Sequence, residues 1–129
     1  MRPVSLEARL TRISDEMRSD PRFQDLRRRY VDDCIRHSGE LQTLLGTQGT
    51  SAPRGEGAER FRKLAHDMRG TGSAYGFPFV SLHAADLEEA MADGAPAETL
   101  RVLVDMLQSD VLQAERVLDQ PPLAALPAE

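Results

Sequence analysis

The stretch Arg60-Phe61-Arg62-Lys63-Leu64-Ala65-His66-Asp67-Met68-Arg69-Gly70-Thr71-Gly72-Ser73-Ala74-Tyr75-Gly76 decides how the chain folds. Wound as a helix at about 100° per residue, it gathers Phe61, Leu64, Ala65, Met68, Gly72 and Tyr75 on one side. The other side carries Arg62, Lys63, His66, Arg69, Gly70 and Ser73. A helix with one apolar stripe must bury that stripe against other elements. Its partners have to come from the rest of the chain.

Outward in both directions the periodicity stays helical. Leu6, Leu10, Ile13 and Met17 recur at three- and four-residue steps and predict a helix over residues 4–17. Ser19-Asp20-Pro21 reads as a cap with proline opening a second, long helix that runs to about Leu45. Its apolar face is read as Phe23, Leu26, Tyr30, Cys34, Leu41 and Leu44 or Leu45. Residues 46–57 have loop composition and form a connector. The third helix spans about residues 58–75; Gly76 is placed to close it in a left-handed cap, and Pro78 to open the fourth. That helix stops at Asp93-Gly94-Ala95-Pro96, and a fifth runs to about Asp119 with Leu100, Leu103 or Val104, Leu107, Val111, Ala114 and Leu118 inward.

No segment alternates as a strand would, so the expected fold class is all-α. It is an antiparallel four-helix bundle over residues 20–119, with an additional N-terminal helix over residues 1–19 packed as a cover. The tail over residues 120–129 holds three prolines and is expected to be disordered. With 129 residues the chain is one domain.

Composition narrows the function. The net charge of −5 argues against binding nucleic acid through its phosphates. The absence of a signal-like or membrane-length apolar run predicts a cytoplasmic protein away from the membrane. One cysteine, Cys34, makes neither a disulfide nor a zinc site and reads as a small core residue. No metal is expected, since His37, His66 and His83 fall in no ligand-spaced pair. Of the basic clusters, Arg27-Arg28-Arg29 reads as a solvated face, whereas Arg60, Arg62, Lys63 and Arg69 surround His66.

An exposed histidine is usually only a surface residue, but three features set His66 apart. Gly70 lies one turn on along the same face, where glycine costs about 1 kcal/mol relative to alanine; a face that another backbone must approach gains from it. Arg69, three residues on, reaches the same spot and favours an anion there, with Arg62 and Lys63 adding to the field. The third feature is Glu88. About a turn at Phe77, His66 and Glu88 are each eleven residues away (77 − 66 and 88 − 77), so a hairpin sets them side by side. A carboxylate on Nδ1–H fixes the tautomer that leaves Nε2 free as a nucleophile. The same arithmetic turns His83 away, and it is read as a surface residue.

These residues carry a resemblance. Leu64-Ala65-His66-Asp67-Met68-Arg69-Gly70-Thr71-Gly72-Ser73-Ala74-Tyr75-Gly76, followed by Ala85-Asp86-Leu87-Glu88, resembles the signature of histidine-containing phosphotransfer (HPt) domains. The likeness is specific over residues 61–91 and looser over residues 20–119. It implies a phosphorelay intermediate that accepts a phosphoryl group on His66 and passes it to or from the aspartate of response-regulator receiver domains. Arg69 stands where the family usually has lysine, Gly70 where it has the glycine that admits the partner, and Glu88 where it has a glutamate or glutamine bonded to the histidine. Arg62, Lys63, Gly70 and Ser73 would meet the partner, and apolar side chains around His66 would supply its affinity. Sensor or hybrid histidine kinases are further partners. No cofactor of its own is implied: magnesium is expected on the receiver. No ATP-binding loop is present in the sequence, so no kinase activity of its own is expected. A monomer is expected. The competing reading is a non-phosphorylated HPt-like adaptor that binds or sequesters receiver domains.

Overall fold

A computed structural model describes residues 20–46 and 52–119. The predicted helix over residues 4–17 and the predicted disordered tail lie outside the described residues. Among those described there are four α-helices: α1 (Pro21–Leu45), α2 (Glu56–Thr71), α3 (Pro78–Ala92) and α4 (Ala97–Asp119), with a short 3-10 turn, Ser73–Tyr75, between α2 and α3. Each helix packs on two others, α1 and α3 both lying against α2 and α4. They form a bundle around one core.

The boundaries follow from local chemistry. Asp20 caps α1 by accepting from the Arg22 amide at 2.9 Å, with Pro21 supplying a pre-set first turn. Gly46, at φ 73°, lets the amide after α1 turn back to the carbonyls of Gln42 and Thr43, and Arg101 of α4 donates to Gly46 O at 2.6 Å.

The inward residues are largely those the periodicity selects. Phe61, Leu64, Ala65 and Met68 of α2 are buried, as are Leu100, Val104, Leu107, Val111 and Ala114 of α4. Each large side chain so buried contributes about 1.5–3 kcal/mol. Cys34 is buried as expected, and that burial pushes its thiol up to about 11, which leaves little reactive thiolate at neutral pH.

On α1 the structure corrects the sequence reading. Leu26 is exposed, while Arg27 and Val31 turn inward. Arg27 therefore does not belong to a solvated face. Its Nε donates to Tyr75 O at 2.9 Å and its guanidinium lies 4.9 Å from the centre of the Phe77 ring, fastening α1 to the turn after α2. Arg28 reaches across to Asp119 at the end of α4, at 2.7 Å. An arginine whose stem and head both find partners is worth burying; a triple-arginine string carries no local sign of which one will.

The third predicted helix is also shorter than its pattern. It ends at Thr71, and Gly72 begins the tight turn: its carbonyl accepts from Tyr75 N at 3.2 Å and from Phe77 N at 2.8 Å. Gly72 has ordinary helical φ (−56°), so the glycine is required by space. A Cβ there would stand 2.3 Å from Ser81 Oγ, 2.7 Å from Tyr30 Oη and 2.9 Å from Phe77 O. Gly76, at φ 88°, then reverses the chain into α3 as its position suggests.

Gly70 and Gly72 should respond oppositely to alanine. Gly72→Ala should destabilise by about 1–3 kcal/mol, because the Phe77 backbone must move to admit the methyl. At Gly70 nothing lies within 4 Å of an added Cβ, so Gly70→Ala should stabilise by up to about 1 kcal/mol. Urea denaturation midpoints of the two variants check the pair.

Candidate functional site

His66 projects from the exposed side of α2, its side chain 62% exposed, and Glu88 of α3 stands beside it. His66 Nδ1 and Glu88 Oε2 are 2.8 Å apart, and Arg69 Nη1 donates to Glu88 Oε1 at 2.7 Å. Arg62 Nη1 lies farther off, 3.9 Å from Oε2. Arg62, His66, Arg69, Ala85, Glu88, Glu89 and Ala92 together line an open surface depression between the two helices.

The carboxylate is only 15% exposed. Burial pushes its pKa up, but hydrogen bonds from Arg69 and His66, reinforced by their charges, outweigh burial and hold it below its ordinary value. Glu88 is therefore ionised at neutral pH. An ionised carboxylate only accepts, so the imidazole must carry its proton on Nδ1. In the neutral ring Nε2 then keeps its lone pair and faces away from the acid. That is the arrangement of an oriented nitrogen nucleophile.

The other expected residues divide. Gly70 is exposed, with open space where a side chain would be, and Lys63 is exposed on the same helix. Ser73 is half-buried in the 3-10 turn, where its amide donates to Ser81 Oγ at 3.1 Å; it belongs to the α2–α3 junction. Arg60 is drawn away from the histidine: its guanidinium makes two hydrogen bonds to Glu40 of α1, one of them Nη2 to Oε1 at 2.9 Å. The depression's walls are charged or small. The apolar side chains that line it are Ala85 and Ala92.

His83 is not the free surface residue its helix position suggested. It is half-buried, and its Nδ1 meets Asp110 of α4. The partner lies 27 residues away on a helix whose rotation the sequence does not specify, so no local signal could have paired them. Among the described residues no arginine or lysine pairs with Asp110, unlike Glu88, and Asp110 faces the apolar crevice formed with Phe77, Pro78, Phe79 and Val117.

No protein-family model matches the chain, and no curated protein or solved structure matches it. Among the described residues no group of three or more His, Cys, Asp or Glu side chains converges as metal ligands would, and no helix is long and apolar enough to cross a membrane.

The Glu88 ion pairs should be visible in the pH dependence of folding. A carboxylate whose pKa is lowered by folding adds stability that is fully present above its unfolded pKa and is lost as pH falls through the folded one. Glu88→Gln should therefore be less stable than the parent at about pH 6–7, with the gap closing toward about pH 3. Urea midpoints across that range measure it; a gap that widens on acidification would show that the acid is not held ionised by its neighbours.

Proposed function

We propose that this chain is a phosphocarrier of the HPt type, which accepts a phosphoryl group on His66 Nε2 from the aspartyl phosphate of a receiver domain and returns it to another. One observation carries the reading: an exposed imidazole is held at Nδ1 by a largely buried, ionised carboxylate, so its second nitrogen is oriented and keeps its lone pair. A surface histidine without a task has no need of such a partner.

Phosphoryl transfer depends on placement and charge stabilisation more than on covalent assistance. In this reading α2 and α3 supply orientation. When Nε2 forms its bond to phosphorus, the ring keeps the Nδ1 proton and becomes positive, and Glu88 offsets that charge. The bare backbone at Gly70 leaves room for a second protein beside the imidazole. The receiver would contribute the magnesium and the reactive aspartate, and sensor or hybrid histidine kinases would load the relay. The reading carries with it an antiparallel order of the four helices, to which the apolar stripe of residues 4–17 would add a further helix. It also carries a monomeric, cytoplasmic chain that does not phosphorylate itself from ATP.

Incubation with a phosphorylated receiver domain tests the proposal. The chain should acquire an acid-labile, base-stable label. His66→Gln should abolish the label with its melting temperature nearly unchanged, and Gly70→Leu should slow transfer by about tenfold or more by blocking approach. Receiver binding without any label on the chain would instead favour the adaptor, which holds receivers and carries no phosphate.

A further inference from the structure

Seen down α2, the groups around His66 fall on two flanks. At about 100° per residue, Arg62 and Arg69 lie roughly 40° and 60° to one side of His66. Lys63 and Gly70 lie at similar angles to the other. The arginine flank faces Glu88 on α3, and both arginines line the depression there.

The two arginines are not held alike. Arg69 Nη1 sits 2.7 Å from Glu88 Oε1, the length of a charge-assisted hydrogen bond, while His66 Nδ1 takes Oε2 at 2.8 Å. Arg62 has no contact so short: Nη2 is 3.4 Å from Glu59 Oε2 and Nη1 is 3.9 Å from Glu88 Oε2. Both of its contacts are at or beyond the limit of hydrogen bonding, on a side chain 48% exposed.

We infer that Arg62 is the cation that closes on the phosphoryl group once it is carried by Nε2, and that Arg69 is a positioning residue that holds Glu88 for the imidazole. The inference rests on the phosphocarrier reading and divides between two residues a task that the sequence assigned chiefly to Arg69. In the transfer step the Nε2 lone pair bonds to phosphorus as the bond from phosphorus to the aspartyl oxygen breaks. The aspartate leaves with that electron pair, and the Nδ1 proton stays on the ring. The arriving group is an anion one helical turn from Arg62. To meet it, Arg62 gives up only two long, solvent-screened contacts. Arg69 would have to abandon a short bond and strip one partner from a carboxylate that is 15% exposed and that His66 also needs. Giving up a short charge-assisted hydrogen bond to a mostly buried carboxylate is the costlier move. Lys63 stands on the flank left open at Gly70 and is not part of the depression wall.

The test uses the full chain phosphorylated by phosphoramidate, which needs no protein partner, and follows the phosphohistidine by phosphorus NMR as pH is varied. A cation against the phosphoryl group favours its dianion, so Arg62→Gln should raise the midpoint of its last ionisation by about half a pH unit, and Arg62→Lys should restore most of the shift. Arg69→Gln and Lys63→Gln should leave that midpoint in place. In the unphosphorylated chain, Arg69→Gln should instead change the ring nitrogen shifts that report the His66 tautomer, and Arg62→Gln should not. A phosphohistidine that forms normally, with a midpoint unmoved by Arg62→Gln or moved as far by either other variant, overturns the inference and leaves the carrier reading standing. Failure of His66 to take a phosphoryl group from phosphoramidate and from a receiver alike overturns both.

Discussion

The close approach at Gly72 is the constraint from which the rest of this arrangement follows. The hydroxyls of Tyr30 and Ser81 and the Phe77 carbonyl all crowd the place where a side chain would begin. Because that place is empty, α2 can end against α1, and the Gly72 carbonyl can catch the Phe77 amide. Tyr30 donates to Met68 O at 2.9 Å and Arg27 to Tyr75 O, so the end of α2 and the turn after it are each tied to α1 by a side chain. The register between α2 and α3 is set here. His66, roughly two turns back along α2, meets Glu88, roughly three turns along α3, because the two helices leave this junction in step.

At the other end of that register lies a small piece of electrostatics. A chain with a net charge of −5 keeps two arginines, an imidazole and two glutamates in one depression. The acid is partly withdrawn from water, which alone would favour its neutral form, yet its hydrogen bonds keep it charged. Its charge fixes where the imidazole proton sits, and the proton's position decides which nitrogen keeps its lone pair. The site's chemistry thus depends on helix register before it depends on any property of histidine. On the proposed carrier reading, charged walls of this kind would suit a brief docking event in which placement matters more than adhesion.

Much of this was legible in the residues themselves. The three- and four-residue spacing of Phe61, Leu64, Ala65 and Met68 selects the buried side of α2, and His66 is exposed by the same rule. Counting eleven residues either way from Phe77 pairs His66 with Glu88, and their 2.8 Å separation agrees. Arg27 and Leu26 show where such counting stops. They are adjacent, and which of them turns inward is settled by Phe77 and the Tyr75 carbonyl, groups some fifty residues on.

What the amino-acid sequence determined by itself is therefore local: helix periodicity, the Asp20 and Pro78 starts, the Gly76 reversal, and the exposure of His66. All of these rest on one turn of backbone and its own side chains. Only the tertiary structure decided that Arg27 is buried, that Arg60 belongs to Glu40, that His83 meets Asp110, and that Arg69 but not Arg62 grips Glu88. Long charged side chains have several partners within reach. Which one they take depends on how neighbouring helices are rotated, and that rotation is set by the packing of the whole core.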